Sequence, residues 1–342
     1  MASTLAINAK GTEFAYIDSG PPKTQTYVTI FALHGFGFSS HVFSKVSDAF
    51  RAKGGRFVAI TRRGYRGSTP FAADELAVLA EGDEAQKTVW LKDRAVEIAS
   101  FIDSFIQQQK LPAPSSDGKQ GGIAILGWSG GNSFTAAVIS SIDSYAEPVQ
   151  IRLSQYLRAH IMLDPPSLSF GLPFPPKTYT PLADMSIPAD KRGLSFVAWI
   201  TSYFQHGDLS TRDLDVIEYV VPAFSHTPSI WNMTLSDISE MVDEPGLNVD
   251  MGLLGFIATN GASYKSATFD KSIKSRFTHL QFWLLIGDLT SSFGLAALWS
   301  IQDDDKANGG DNVHYKVISG ANHFMHWDEP ERTADVLLET LS

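Results

Sequence analysis

The stretch that decides the fold is GIAILGWSGG at residues 122–131, an apolar run that ends in a serine between glycines. The run Gly122–Leu126 predicts a short buried strand, and the small residues after it lead into a helical segment that extends to about Ser141. A Gly-x-Ser-x-Gly pattern in this context predicts a strained turn that exposes the hydroxyl of Ser129. The positive end of the following helix would favour negative charge there. The alternative is a glycine-rich packing turn without a chemical role.

Strands and helices alternate on both sides of this turn. Apolar residues recur every three or four positions along Glu84–Lys110, which predicts an amphipathic helix. Runs that predict further strands are Thr12–Asp18, Tyr27–Leu33, Arg56–Thr61, Ala159–Leu163, His279–Ile286 and Val313–Ile318, with later helical segments at Phe293–Ile301 and near Glu329–Leu341. Strands separated by helices predict a mostly parallel sheet with helices on both faces, an α/β fold.

The alternation stops in the middle of the chain. About 110 residues after Asp164-Pro165-Pro166 are rich in proline and carry mixed helical signals without clear strands. The simplest arrangement is an α/β core of residues 1–166 and 277–342, with a mainly helical cap of residues 167–276 inserted between two strands. A cap of this kind would cover the serine and exclude bulk water.

Composition narrows the classes of function. The 342 residues carry a net charge of −10 and no run of basic residues, which argues against nucleic-acid and anionic-membrane binding. The absence of cysteine excludes thiolate zinc sites, iron–sulfur clusters, disulfides and a cysteine nucleophile. No glycine cluster fits a nucleotide-binding motif, so no cofactor or metal is expected. With no signal-like or membrane-spanning run, we expect a cytoplasmic protein.

Two other loops follow predicted strands and carry candidate site residues. Chemistry at a carbonyl group needs two backbone N–H groups that stabilise an oxyanion, and Gly130 and Phe36 are the candidates. Phe36 lies in the sequence HGFG at residues 34–37, where we expect His34 to fix the loop rather than to transfer protons. Phe36 and Trp128 are also candidates for the walls of a substrate pocket, although either could belong to the core.

The candidate general base is His323. It lies on a short glycine-containing turn, SGANHF at residues 319–324, directly after a late strand. A base on such a loop at the carboxyl edge of the sheet can reach the serine. The neighbouring His326 is expected to pack or to be partly exposed.

Four motifs together resemble those of the α/β-hydrolases, a serine-hydrolase superfamily that includes esterases, lipases and lactonases. They are HGFG at 34–37, RRGYRGS at 62–68, GWSGG at 127–131 and GANHF at 320–324, in the order of that family. The resemblance covers the predicted core and leaves the cap unmatched. It implies the α/β-hydrolase fold and a Ser-His-acid triad, and it implies a structural role for residues 62–68.

The resemblance leaves the acid of the triad open between two aspartates. The family usually carries it in a G-x-x-D turn after the penultimate strand, where this chain has Gly287-Asp288-Leu289-Thr290, with threonine at the acid position. Some relatives, including certain haloalkane dehalogenases and zearalenone lactonases, carry the acid after the strand that follows the nucleophile helix. Asp164 lies there. We favour Asp164 and keep Asp288 as the alternative; either could instead cap a helix or bond a loop.

These residues predict a serine hydrolase that cleaves a carboxylic ester or lactone of a compact, mostly apolar small molecule through an acyl-enzyme. Epoxide hydrolase and dehalogenase chemistry would need aspartate at position 129 and are disfavoured. Carbon–carbon or amide hydrolysis and acyl transfer on the same residues remain alternatives, as does a ligand receptor with a hydrolase fold. A small molecule is the only partner expected, and no oligomeric state is predicted.

Overall fold

A single sheet organises the molecule. In the computed structural model, which describes residues 3–8 and 11–342, the backbone of these residues forms one eight-stranded sheet. Its strands are β1 (Ser3–Ala6), β2 (Glu13–Asp18), β3 (Thr29–Leu33), β4 (Arg56–Ile60), β5 (Ile123–Trp128), β6 (Leu157–Leu163), β7 (Gln281–Gly287) and β8 (His314–Ile318). They lie in the order β1-β2-β4-β3-β5-β6-β7-β8. Strand β2 runs antiparallel to β1 and β4, and every other pairing is parallel.

The four central strands are apolar because helices cover both of their faces. Every residue of β3, β4, β5 and β6 is buried, whereas the edge strands β1 and β8 expose several residues. Continuous burial of this kind is typical of parallel strands that pack on two sides. The predicted α/β fold with a mostly parallel sheet is confirmed.

Helices form a layer on each side of the sheet. The α-helices are α1 (Ser44–Ala52), α2 (Ala73–Glu81), α3 (Glu84–Gln109), α4 (Gly131–Ser140), α5 (Glu147–Tyr156), α6 (Arg192–Ile200), α7 (Leu235–Met241), α8 (Glu244–Asp250), α9 (Ile257–Phe269), α10 (Lys271–Lys274), α11 (Ser292–Ala307), α12 (Met325–Asp328) and α13 (Pro330–Glu339). Helices α3, α4, α9 and α11 contribute to one hydrophobic core, and α1 and α13 contribute to the other. None of the helices in the described part of the chain is long and apolar enough to span a membrane.

The residues predicted as a cap, 167–276, are called the inserted segment below. They lie between β6 and β7 and contain α6 to α10 and several short 3₁₀ helices but no strand, apart from an isolated bridge between Val242 and Phe38. Helix α9 packs against α4, and its Tyr264 and Ala267 join the core of that layer. The end of the inserted segment therefore packs with the sheet domain, and the exact domain boundaries stay a prediction.

Replacing Phe101 with alanine tests the packing of α3 on the sheet. The Phe101 ring is buried, with its centroid 5.9 Å from that of Phe14, 5.4 Å from Tyr16 and 6.4 Å from Phe31. We expect Phe101→Ala to lower the free energy of unfolding by about 3–5 kcal/mol in urea denaturation, because it leaves a cavity. Val89 on the same helix is 58% exposed, and Val89→Ala should change the free energy by less than about 0.5 kcal/mol. Equal losses would contradict this packing.

His160 should make the stability of the protein depend on pH. It is buried in β6, with Nε2 2.8 Å from Thr135 Oγ1, and burial lowers the pKa of its imidazole to about 3. The unfolded value is about 6.5, so the neutral ring stabilises the fold fully above that pH, and this contribution is lost as the pH falls towards 3. We expect His160→Gln to reduce the slope of unfolding free energy against pH by about 1.4 kcal/mol per pH unit between about pH 5.5 and 4.

Candidate active site

Ser129 lies on the strained turn that the sequence predicts. It follows β5 and precedes α4, and its φ of 53° is in the left-handed region that side chains rarely adopt. Its backbone N–H donates to the carbonyl oxygen of Leu163 at 3.0 Å. A Cβ atom on Gly131 would lie 2.3 Å from the carbonyl oxygen of Leu33, so only glycine fits there. The turn thus holds the serine between two strands of the sheet.

Asp164 and His323 meet although 159 residues separate them in the chain. Asp164 directly follows β6 and His323 lies on the turn after β8. Nδ1 of the imidazole is 3.2 Å from Oδ1 of the carboxylate, and both side chains are buried. The structure therefore brings His323 together with the aspartate that follows the strand after the nucleophile helix.

Asp288, the alternative acid, has a different contact. Its Oδ1 accepts a hydrogen bond from the backbone N–H of Gly320 at 2.6 Å. Within the described residues it makes no hydrogen bond to His323. Asp288 joins the turn after β7 to the turn that carries the histidine, which is the loop-bonding role that the sequence also allowed.

Thr290 occupies the family's usual acid position and contacts the acid that is present. Its Oγ1 donates to Oδ1 of Asp164 at 2.9 Å, while the backbone N–H of Gly287 donates to Oδ2 at 3.3 Å. The positive end of α11 also faces the carboxylate, because a Cβ on Gly294 would lie 2.5 Å from Oδ1. These groups offset the cost of burying a charge. Sequence analysis missed this role of Thr290; the signal available was a hydroxyl residue where the family has an acid.

Ser129, Asp164 and His323 line one cavity of about 430 Å³. The aromatic residues of its wall are Phe36, Phe174, Phe196 and Phe293, and its aliphatic residues are Pro166, Leu168, Leu182, Ala183, Ile200, Met251 and Leu254. Thr178, Thr180, Ser291 and Gly294 complete the lining. Among the residues that the structure describes, no lysine, arginine or glutamate lines it, so the cavity favours an uncharged, apolar ligand.

The two residues whose backbone N–H groups are proposed to bind an oxyanion, Phe36 and Gly130, are neighbours in space. A Cβ on Gly130 would come within 2.4 Å of the Phe36 ring, so the two residues are in direct contact. Over residues 3–8 and 11–342, neither N–H donates a hydrogen bond to another protein group. Both groups therefore remain available to an acceptor oxygen next to Ser129.

Trp128 does not lie in the cavity wall, where sequence analysis placed it. It is 1% exposed, packs in the core on the other side of the sheet, and does not line the cavity. Its indole N–H donates to the carbonyl oxygen of His323 at 3.0 Å, and the two rings lie 5.0 Å apart. The reason is the alternation of side chains along β5, which directs Trp128 into the core beneath the histidine turn. Phe36 lines the cavity, and its contact with a substrate stays a prediction. The prediction of Trp128 as a pocket wall is wrong, because its side chain packs beneath His323 instead.

The two other histidines near the site, His34 and His326, are both buried. His34 Nδ1 is 2.9 Å from the carbonyl oxygen of Gly35, and its Nε2 accepts from the backbone N–H of Arg62 at 2.9 Å. Burial, and then the charge of Arg62, lower the pKa of His34, so its ring is neutral and both nitrogens are used. Burial and the nearby His323 also lower the pKa of His326, whose ring packs 4.7 Å from that of Trp128. In the described part of the chain, no group of three metal-ligating side chains could hold an ion.

Comparisons with known proteins bear on the fold and the family of this chain. No curated protein sequence matches the chain. One similar solved structure is the esterase EaEST from Exiguobacterium antarcticum, with a TM-score of 0.54 and 13% sequence identity over 100% of this chain and 99% of that one. A second is a bromoperoxidase from Bacillus anthracis, with a TM-score of 0.52 and 15% identity over 100% of this chain and 99% of that one. A third is a thermophilic esterase from Thermogutta terrifontis, with a TM-score of 0.52 and 14% identity over 100% of this chain and 98% of that one. These likenesses concern the fold. The model of the alpha/beta hydrolase family matches residues 30–336, and the chain therefore belongs to that family.

Proposed function

We propose that this protein is a serine hydrolase that cleaves a carboxylic ester or lactone of a compact, uncharged and mostly apolar molecule. The observation that carries the proposal is the hydrogen bond of 3.2 Å between Asp164 and His323. Both residues line the same cavity as Ser129. The esterases among the structural neighbours support the choice of reaction. The triad, the oxyanion donors, the cap role of the inserted segment and the cytoplasmic location are parts of this proposal.

In the first half of the reaction, Ser129 Oγ attacks the carbonyl carbon of the substrate. His323 Nε2 takes the hydroxyl proton, and Asp164 orients the imidazole through Nδ1–H and stabilises the imidazolium that forms. The N–H groups of Phe36 and Gly130 stabilise the charge on the former carbonyl oxygen. The tetrahedral intermediate then collapses, the bond to the alkoxide breaks, and the alkoxide takes the proton from His323. The product is an acyl-enzyme and an alcohol.

In the second half, water replaces the alcohol as the nucleophile. His323 takes a proton from the water as its oxygen attacks the acyl carbon, and the same N–H groups stabilise the second oxyanion. Collapse breaks the bond to Ser129, which recovers its proton from His323, and the carboxylic acid leaves. In a lactone the alcohol and the acid are ends of one molecule, so a single hydroxy acid is released.

The cavity suggests which substrates the enzyme takes. Its volume of about 430 Å³ is in the range of small-molecule sites, and its walls are aromatic and aliphatic. Phe174, Leu182 and Phe196 come from the inserted segment, which would therefore cover the ester and exclude water during attack. Among the described residues, no lysine or arginine lines the cavity to balance an anionic acyl group, so neutral esters should react faster than anionic ones.

Replacing Ser129 with alanine tests the proposed nucleophile. On neutral short-chain nitrophenyl esters, we expect Ser129→Ala to lower kcat by a factor on the order of 10⁶, because no other group can form the acyl-enzyme. Ser133, buried in α4, offers the matched control: its hydroxyl donates to the backbone of Ser169 at 3.4 Å, and Ser133→Ala should keep most of the activity. Equal turnover by the wild type and Ser129→Ala would end the proposal. A single turnover that leaves a stable adduct would instead favour a ligand receptor.

Two aspartate variants test the acid. We expect Asp164→Asn to lower kcat by a factor on the order of 10⁴, because the amide cannot hold the histidine tautomer that accepts the serine proton. Asp288→Asn should have a much smaller effect, because Asp288 bonds only the turn at Gly320. Steady-state kinetics measure kcat for both variants, after circular dichroism has shown that the two are folded to the same extent. A loss confined to Asp288→Asn would show that the acid assignment is wrong.

A further inference from the structure

A buried ion pair joins the inserted segment to the loop that contains Phe36. Arg62, on the turn after β4, donates from Nη1 to Oδ1 of Asp250 at 2.9 Å and from Nη2 to Oδ2 at 2.7 Å. The hydroxyl of Tyr65 also donates to Oδ2 of Asp250. Asp250 is the last residue of α8, and all three side chains are buried. This cluster lies outside the triad, and sequence analysis assigned residues 62–68 no chemistry.

Two of these side chains, those of Arg62 and Tyr65, bond the backbone on both sides of Phe36. Arg62 Nε donates to the carbonyl oxygen of His34 at 3.1 Å, and its Nη2 donates to that of Gly35 at 2.9 Å. The backbone N–H of Gly37 donates to the hydroxyl of Tyr65 at 2.8 Å. The peptide groups before and after Phe36 are therefore both held from outside the loop.

These contacts determine the direction of the Phe36 N–H. The carbonyl of Gly35 and the N–H of Phe36 belong to one planar trans peptide group, so they point in opposite directions. Because Arg62 holds that carbonyl on one side, the N–H is turned to the other, where Phe36 lies against Gly130 and lines the cavity. The side chain of Arg62 thus positions the backbone N–H of Phe36 through the carbonyl of Gly35.

The charge balance of the cluster explains why all three members are required. A buried arginine without its partner is strongly destabilising, and a bidentate carboxylate satisfies it with fixed geometry. Burial, and then the charge of Asp250, raise the pKa of Tyr65 well above its usual value. The phenol therefore stays protonated, so it donates to Asp250 while it accepts from Gly37.

We propose that Asp250 is a positioning residue of the inserted segment, which acts through Arg62 and Tyr65 to aim the Phe36 N–H at the oxyanion. The inference rests on the proposed function. Met251 and Leu254, which follow Asp250 in the chain, line the cavity. The segment that contacts the substrate thus also holds one half of the oxyanion site, and the site is incomplete without it.

A neighbouring cluster provides a matched control. Arg63, the next residue along the chain, pairs with Glu75 and Glu97 at 2.8 Å each, and Arg94 pairs with the same two carboxylates. This second cluster is also largely buried, but it holds α2 and α3, and within the described residues it makes no hydrogen bond or ion pair to the Phe36 loop. Glu97→Gln therefore removes comparable ion pairs without touching the oxyanion site.

The experiment compares Tyr65→Phe and Asp250→Asn with Glu97→Gln, in kinetics on a neutral nitrophenyl ester and in binding of two inhibitors. One inhibitor is a trifluoromethyl ketone, which forms a tetrahedral adduct with an oxyanion, and the other is the alkane of the same shape. For both test variants we expect kcat to fall about 10- to 100-fold with KM nearly unchanged, less than the loss for removing an oxyanion donor outright. Ketone affinity should fall by the same factor, and alkane affinity should not change.

The outcomes separate this inference from the proposed function. Glu97→Gln should keep the wild-type kcat per folded molecule even where its melting temperature falls. Tyr65→Phe removes only a hydroxyl. If this variant keeps the wild-type kcat and the wild-type affinity for the ketone, the positioning role is overturned and the hydrolase proposal stays intact. An equal loss of kcat in Glu97→Gln would also overturn it, because the effect would then be structural. If the wild type hydrolyses no ester and does not bind the ketone, both proposals fail.

Discussion

The hydrogen bond between Asp164 and His323 is the contact on which the candidate site depends. A carboxylate that is 1% exposed has lost its hydration and must recover hydrogen bonds from the protein. It recovers them from Thr290 Oγ1, from the N–H of Gly287 and from the imidazole. Gly287 ends β7, Thr290 follows it and His323 follows β8, while the aspartate follows β6. The bond therefore requires three parallel strands to end together at the carboxyl edge of one sheet.

This arrangement explains why the acid can occupy either of two places in the chain. Strands β6 and β7 are parallel neighbours, so the residues that follow them meet beside the same imidazole. Asp164 and Thr290 are in direct hydrogen-bond contact, although 126 residues separate them. This chain has a carboxylate at the end of β6 and a hydroxyl after β7, at the position where the family usually has its acid. The structure accommodates this exchange because both side chains share one small volume.

The inserted segment is bound to the sheet domain by polar contacts as well as by packing. Asp250 reaches the Phe36 loop through Arg62, and on the other side Tyr203 and Ser229 donate to Asp328 at 2.7 and 2.6 Å. Buried and partly buried bonds of this kind have fixed geometry and are costly to break. The inserted segment and the sheet domain therefore form the cavity together, and the segment also holds the Phe36 loop through Arg62.

Local sequence patterns were sufficient for the central strands, for the serine turn and for the turn of His323, because continuous apolar runs and obligatory glycines act within a few residues. They did not predict β1, whose residues are mostly exposed, or α2, which buries only Leu79. Only the tertiary structure places Asp164, rather than Asp288, against His323, buries Trp128 in the core and pairs Arg62 with Asp250 across 188 residues. These outcomes depend on which strand ends are neighbours and which face a side chain occupies. Both are set when the sheet assembles, since no single segment contains the partners.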